Sequence, residues 1–370
     1  MATMVRTFKY RLYPTRSQET KLQESLDVCR ELYNSLLHDR KFCYEVYGKA
    51  PTEREQEKKL TGFKADHPEL CTVHAHVLQN VALRVDVAYN SYFSRLEDYQ
   101  YRKGKGRLKQ DRRAGISTAF EEKCPQPPRE KGRGSYDSLT WKEYGNGNNV
   151  EADSVFLSKI GTLKAILHRP LSGTPKTTTV RRQNGKWFAC VSCIVEAELL
   201  PVSEEEVGID VGLEKFAALS TGEFIENPRF FRKEQKALAK AQRKLEKVKN
   251  KHKRGGDTRS PIKSKARKKA KKVVTRTHER IRNKRHNFHH QTALKLVDRF
   301  GTIAVEELNI VNMSASPAPK PDPEKPGQFL PNGHAAKAGL NKSILDAGWY
   351  TFRRIEAPGF IQGSSHAQAR

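Results

Sequence analysis

Two acidic residues lie in or directly after apolar runs of this sequence, a placement that suits metal-dependent chemistry. Asp210 lies inside the run Val207–Val211, and Glu306 follows the run Gly301–Val305. An unpaired carboxylate is costly to bury, so such an acid indicates a bound metal or phosphate, or else a solvent-facing position on a half-buried strand. Carboxylates from two strands at one end of a sheet can hold two hard cations about 4 Å apart, as phosphodiester hydrolysis requires. We therefore predict Asp210 and Glu306 as catalytic acids and as ligands of Mg²⁺.

The strands that must position these acids are marked by turn residues. Gly212 and Thr221-Gly222 separate three apolar runs, Val207–Val211, Phe216–Leu219 and Phe224–Ile225. This punctuation predicts a tight three-strand meander, and the run that ends at Glu306 predicts a fourth strand. The types of the two acids and their order along the chain are those of a ribonuclease-H-like nuclease domain.

The charge of the chain indicates a polyanionic partner. The 370 residues include 69 Lys and Arg against 42 Asp and Glu, a formal net charge of +27. Between Arg229 and His290 there are 25 basic and 4 acidic residues, so this one segment carries a net +21. A surplus of that size opposes a compact fold by self-repulsion. Nucleic acid is the expected partner, ahead of a membrane surface, because no segment approaches a spanning length.

The basic segment also has the periodicity of a helical hairpin. Apolar residues recur at helical spacing through Leu238 and Val248, and again every seven residues through Val274, Ile281 and Phe288. Gly255-Gly256 lies between the two series and can turn the chain back, which predicts two helices with an apolar seam and basic outer faces. We predict nucleic-acid contacts for eight residues of these faces: Arg243, Lys244, Lys247, Lys268, Lys272, Arg282, Lys284 and Arg285.

The cysteines and histidines argue against other metal sites. Cys190 and Cys193 have the spacing of a zinc knuckle, but on a strand residues three apart point to opposite faces, and no second pair completes a tetrahedral site. We therefore expect no zinc. His286 and His290 share a helix face without a nearby carboxylate. The six scattered cysteines suggest reduced thiols and a cytoplasmic protein.

The first half of the chain predicts a β-barrel with inserted helices. Phe8–Tyr13 alternates like a strand, and Thr15 with Gln18 has capping-box spacing for a helix to about Tyr47. We interpret Pro51–Lys59 as a polar link before a second amphipathic helix. Short β-runs separated by turn signals from about residue 136 to 198 predict a small barrel, which the N-terminal strand joins.

Several ordered motifs resemble the TnpB (OrfB) proteins of bacterial and archaeal insertion sequences, miniature relatives of type V CRISPR effectors. The resemblance covers roughly residues 5–350 and is carried by the motifs Tyr10–Thr15 with Gln18, Tyr136–Ser138, Gly208–Gly212, Asn283–Phe288, Ile303–Leu308 and Leu340–Trp349. It implies an RNA-guided DNA endonuclease with guide RNA and target DNA as partners, in which base pairing reads most of the target. Asp210 and Glu306 match the first two catalytic acids of the family.

The resemblance implies an α+β multidomain fold. An oligonucleotide-binding β-barrel, the wedge, would span residues 1–14 and 114–202, interrupted by a helical recognition bundle at 15–113. An incomplete ribonuclease-H-like (RuvC) domain would follow at 203–350, with the basic hairpin at 229–299 and without the zinc ribbon of the family. Residues 351–370 show neither helical nor strand periodicity, and we expect an unrelated tail.

The third catalytic acid of the family has no counterpart in this sequence. After Trp349 the chain contains neither the Cys-x-x-Cys ribbon nor a further Asp. We therefore expect a C-terminal truncation with weak or no cleavage, and a nuclease-deficient RNA-guided binding protein or repressor, or the product of a decaying gene, stays open as the alternative. Gly208–Gly212 could also be the first phosphate loop of an actin-like ATPase, but that fold needs a second Asp-x-Gly loop, which is missing.

Overall fold

In the computed structural model, the chain forms two compact units, Met1–Ala197 and Glu198–Arg370. The residues described are 3–104, 124–196, 203–254, 265–306, 308–323, 325 and 328–360. The Gly-rich, basic sequence from Arg102 to Arg113 predicts a flexible loop, and its residues 105–113 lie outside these ranges.

Unit 1 contains a seven-stranded antiparallel sheet that forms a nearly closed barrel. The strands run in the spatial order β2-β6-β7-β1-β5-β4-β3. The N-terminal strand lies at the centre, where Phe8 pairs with Val191 of one neighbour and Leu12 with Ala165 of the other. The bounds are β1 Thr3–Tyr13, β2 Ser138–Trp141, β3 Asn148–Val150, β4 Ser154–Leu157, β5 Gly161–Ile166, β6 Thr174–Gln183 and β7 Lys186–Glu196.

Helices occupy the chain between β1 and β2: α1 Arg16–Tyr47, α2 Glu53–Asp66, a 3₁₀ helix Pro68–Thr72, and α3 Ala75–Gly104. The Thr15 hydroxyl accepts from the Gln18 N–H, and the Gln18 side chain accepts from the Thr15 N–H, so the predicted capping box is present.

The interpretation of Pro51–Lys59 as a link is wrong, because α2 begins there. Thr52 and Glu55 form a second capping box that satisfies the first backbone donors of α2. The helix buries only the side chains of Gln56 and Leu60, so its apolar stripe is too short to show in the sequence pattern.

Barrel and helices share one buried cluster of apolar residues. Leu12 of the central strand and Trp187 of β7 belong to the same buried cluster as Leu22 and Leu26 of α1 and Val81 of α3. The apolar faces of the inserted helices therefore complete the core of the barrel instead of forming a core of their own.

Unit 2 contains a four-stranded sheet in the order β10-β9-β8-β11. Its strands are β8 Glu206–Val211, β9 Lys215–Leu219, β10 Phe224–Glu226 and β11 Thr302–Val305. The first three form the predicted antiparallel meander, and β11 pairs parallel to β8. The predicted three-strand meander and the predicted fourth strand are thus present in one sheet.

The basic segment forms two long helices packed against each other, α4 Phe230–Arg254 and α5 Lys265–Arg299. Leu238 and Ile281 are buried, and Val274 and Phe288 are half-buried, as the predicted seam requires. Unit 2 continues with α6 Ile310–Met313, the two-residue strands β12 Lys320–Pro321 and β13 Phe329–Leu330, α7 His334–Ala347 and α8 Trp349–Phe360.

The expectation of an unrelated tail from residue 351 is wrong for its first half. Residues 351–360 belong to α8, and Phe352 is fully buried in the core of unit 2 together with Trp349. Trp349, Phe352 and Ile355 recur every three residues, the spacing of one helix face. Residues 361–370 lie outside the described residues.

Candidate functional site

The two predicted acids project from adjacent strands toward the same side of the sheet. In the parallel pair, Ile209 lies opposite Val305, so the next residues in register are Asp210 and Glu306. Ile209 is buried and Val305 half-buried against the core, whereas Asp210 and Glu306 are exposed. Because side chains alternate between faces along a strand, both carboxylates point away from the core. Neighbouring strands are about 4.8 Å apart, so the register brings the backbones of Asp210 and Glu306 to the same end of the sheet.

Asp210 is exposed, not buried as its apolar neighbours suggested. The strand is half-buried, with Val207, Ile209 and Val211 on the core side and Asp210 on the open side. The structure thus matches the solvent-facing alternative, and burial itself gives no argument for a metal.

The lack of protein partners for the two carboxylates is a stronger argument for a bound metal than burial is. In the described residues, no hydrogen bond or ion pair engages either acid. Exposed carboxylates without a partner in the protein are the ligand type that a hard divalent cation takes. Two carboxylates with water suit Mg²⁺, which keeps several waters when bound. Within the ranges the structure describes, no group of three or more His, Cys, Asp or Glu side chains is placed to hold a metal.

Seven of the eight predicted nucleic-acid contacts are exposed on the hairpin: Arg243, Lys244, Lys247, Lys268, Lys272, Arg282 and Lys284. Lys284 and the half-buried Arg285 are engaged by the protein. The Lys284 ammonium lies 3.2 Å from a carboxylate oxygen of Glu234 on α4. The guanidinium of Arg285 donates to the carbonyl of Leu345 at 2.7 Å, near the end of α7, where a cation is favourable. Arg285 therefore has a structural role that the sequence did not indicate.

His289 is a core residue of unit 2. Its ring is fully buried beside Phe216, Phe288 and Phe352, and Nε2 lies 2.9 Å from the carbonyl oxygen of Ala347. Burial lowers the pKa of this imidazole from 6.5 to about 4, partly opposed by the bond to Ala347. Since a carbonyl only accepts, Nε2 carries the proton and the ring is neutral at pH 7.

His286 and His290 are exposed on α5, with ring centroids 4.4 Å apart. The cysteine pair falls on β7 as expected, with Cys193 buried and Cys190 half-buried on the alternate face. Neither pair belongs to a larger group of potential metal ligands in the described part of the chain.

Sequence reasoning missed the residues around the start of α4. Both carboxylate oxygens of Asp346 lie 2.9 Å from the backbone N–H of Phe231, so this acid from α7 caps α4 and favours its N-terminus. Arg229 and Arg232 flank the same point, directly after β10. The signal in the sequence is the pair Asn227-Pro228, a turn that directly precedes the basic helix.

None of the described helices combines the length and apolar composition needed to cross a membrane.

Comparison with known proteins gives two family models. One, described as "Probable transposase", matches residues 190–316. The other, described as "Helix-turn-helix domain", matches residues 1–49. In this chain the second region contains the central strand β1 and the single long helix α1, so its local structure is a strand followed by a helix.

Two curated relatives match nearly the whole chain. InsQ from Escherichia coli (strain K12), named as a candidate RNA-guided DNA endonuclease, is 30% identical over 361 residues, which are 95% of this chain and 76% of InsQ. A protein of Streptomyces pristinaespiralis with the same activity in its name is 27% identical over 96% of this chain and 74% of that protein. This chain thus spans about three quarters of the length of both relatives.

A cryo-EM structure of Cas12f1 with its guide RNA and target DNA aligns with 96% of this chain and 88% of that protein at 13% identity. The TM-score is 0.34, at which the likeness carries no weight for the fold. The identity to InsQ over most of both chains, together with the transposase model, is decisive: this chain belongs to the TnpB (OrfB) family of insertion-sequence proteins.

Proposed function

We propose that this chain is an RNA-guided DNA-binding protein that cleaves DNA with Mg²⁺ held by Asp210 and Glu306. The observation that supports this most directly is the parallel register of β8 and β11, in which Ile209 pairs with Val305 and each of these residues is followed by an exposed acid. The names of the two relatives support guide RNA and DNA as its ligands.

In this proposal Asp210 and Glu306 bind and orient the cation through their carboxylate oxygens. Mg²⁺, when bound, would polarise the phosphodiester and lower the pKa of a bound water. Because β8 and β11 are paired over four residue pairs that end directly before the two acids, the backbone from which each carboxylate extends is held in place. Such preorganisation is what a metal site needs.

The hairpin of α4 and α5 would hold the nucleic-acid backbone. Its exposed basic residues line both helices, and acidic residues that could neutralise them are few. Contacts of this kind release counterions, so binding should weaken steeply with salt. Residues Arg243, Lys244, Lys247, Lys268, Lys272 and Arg282 are the proposed contacts, whereas Lys284 and Arg285 are already engaged within the protein.

The second candidate function is guided binding with weak or no cleavage. It is favoured by the same geometry, because the described residues bring two carboxylates together and no third. A protein of this kind would occupy its target and block access to it.

The deciding experiment compares the chain with Asp210→Ala, each co-expressed with the RNA transcribed from the end of its own insertion sequence. Plasmid cleavage with Mg²⁺ that disappears in the variant would support the nuclease. Guide-dependent binding without cleavage in both proteins would favour the second candidate. Absence of guide-dependent binding would contradict both.

A further inference from the structure

The carboxyl end of the sheet in unit 2 gathers more than the two acids. Because β9 is antiparallel to β8 and β10 to β9, the β8–β9 turn and the loop after β10 lie at the same end as Asp210. The two loops are tied together by hydrogen bonds. The Asn227 amide donates to the carbonyl of Leu213 at 2.9 Å, and the Arg229 guanidinium to that of Glu214 at 3.4 Å.

These loops form one wall of a cleft of about 480 Å³, whose other wall is α7. We call it the arginine cleft, because Arg229 and Arg232 line it together with Leu213, Glu214, Ser343 and Asp346. Its volume lies within the range of small-molecule and nucleotide sites.

The cleft is lined by two arginines and two acids, and the arginines keep donors that an anionic ligand would engage. Asp346 is buried, and both of its oxygens accept from the Phe231 N–H. Arg232 donates to the Ser343 hydroxyl at 3.2 Å, and Arg229 donates to a backbone carbonyl. Neither guanidinium has a carboxylate partner among the described residues, although Glu214 lies on the same rim. Two guanidinium groups three residues apart, with donors left over, match the oxygens of a phosphate.

The backbone at Arg229 is in the left-handed region, with φ of 47°. A residue with a side chain rarely adopts this conformation, and it persists only where its surroundings fix it. Here the Arg229 N–H donates to the Asn227 side chain at 3.1 Å. The left-handed backbone at Arg229 thus directs its guanidinium into the cleft, one residue before α4 begins.

We propose that the arginine cleft binds a phosphodiester group of the DNA strand presented to Asp210 and Glu306, with Arg229 and Arg232 as positioning residues. This inference rests on the proposed function, because it takes the carboxyl end of the sheet as the place where a strand is presented. The cleft would hold that strand one or more phosphates away from the two acids.

The first test measures binding of the full chain to a fluorescent single strand of about 12 thymidines by anisotropy, between about 50 and 200 mM salt. Arg229→Gly removes the guanidinium and suits the left-handed backbone, and Arg232→Gln removes the second. Each should lower the slope of log K against log salt by about 0.7, the value per phosphate contact on a single strand. Lys233→Gln is the matched control, since Lys233 is exposed next to Arg232 and does not line the cleft.

Arg232→Lys keeps the charge and should keep the slope, which separates loss of the contact from loss of the fold. Slopes that are equal in the wild type, Arg229→Gly and Arg232→Gln would overturn the proposal. A slope that falls as much in Lys233→Gln would overturn the proposal too, because the loss of any positive charge near the cleft would then have the same effect on binding.

The second test uses guided target DNA in which single phosphates are replaced by uncharged methylphosphonates. At one or two positions the replacement should weaken binding several-fold in the wild type and have no effect in Arg232→Gln. If the variant stays as sensitive as the wild type, the cleft contacts no phosphate. If the wild type shows no guided binding at all, the proposed function fails, while the oligonucleotide test still decides whether the cleft binds phosphate.

Discussion

Acidification should destabilise unit 2 through His289. This imidazole is fully buried, and its Nε2 donates to Ala347 at the end of α7. Its other nitrogen, Nδ1, has no hydrogen-bond partner among the residues that the structure describes. Protonation would therefore place a cation among Phe216, Phe288 and Phe352 without a compensating acceptor, which is why burial lowers its pKa.

The size of the effect follows from the pKa of about 4 in the folded protein against 6.5 for the free side chain. Because the unfolded chain takes up the proton first, stability is complete above pH 6.5 and falls as the pH decreases toward 4. Over the whole range the loss is roughly 3 kcal/mol, and between pH 7 and pH 5 it is about 2 kcal/mol. Below about pH 4 this contribution levels off.

The assay compares the wild type with His289→Gln, whose amide can donate to Ala347 and does not titrate. Urea unfolding at pH 7 and pH 5 would be followed by fluorine NMR of labelled tryptophan, since Trp349 is the tryptophan of unit 2. The wild type should lose about 2 kcal/mol more than the variant between these pH values. Equal losses in both proteins would refute the assignment of a neutral, buried His289.

Three further substitutions test the packing described above. Phe352→Ala should lower the free energy of unfolding of unit 2 by about 3–5 kcal/mol. The control Tyr350→Ala changes a side chain that is 62% exposed and should alter this free energy by less than about 0.5 kcal/mol. Similar urea midpoints for the two variants would show that α8 is not part of the core. Gly348→Ala would place a Cβ at a φ of 70° and 3.1 Å from the His289 ring. It should therefore lower the free energy of unfolding more than Gly48→Ala, whose Cβ would meet open space at a φ of 67°. Equal losses of this free energy in urea unfolding would contradict the prediction. Thr52→Ala should cost about 1 kcal/mol through the lost cap of α2, and unchanged hydrogen exchange at the start of that helix would argue against it.

The sheet of unit 2 could be predicted because its signals are local. Gly212 and Thr221-Gly222 mark the turns, and the apolar runs between them are too short for helices and therefore predict strands. The parallel pairing of β11 with β8 could not be predicted from local signals, because about 90 residues separate the two strands along the chain. The start of α1 could also be predicted from a local signal, because a capping box depends on only two residues, here Thr15 and Gln18.

The features that sequence reasoning missed depend on tertiary packing. The exposure of Asp210 follows from which face of the sheet the helices cover, and an apolar run does not reveal that. The structural role of Arg285 arises from the end of α7, 60 residues away along the chain. The helix α8 was missed because Trp349, Phe352 and Ile355 form an apolar stripe of only two helical turns, which is too short to indicate a helix from the sequence.

The pairing of Asp210 and Glu306 in one divalent-cation site is tested most directly by Mn²⁺ binding, measured by electron paramagnetic resonance as a reporter for Mg²⁺. The full chain should bind Mn²⁺, and Asp210→Asn and Glu306→Gln should each weaken that binding by at least about tenfold, or 1.4 kcal/mol. Glu226→Gln, an exposed acid at the same end of the sheet that is paired with Lys215, should bind as the wild type does. Mn²⁺ binding that survives in both Asp210→Asn and Glu306→Gln would contradict the shared site.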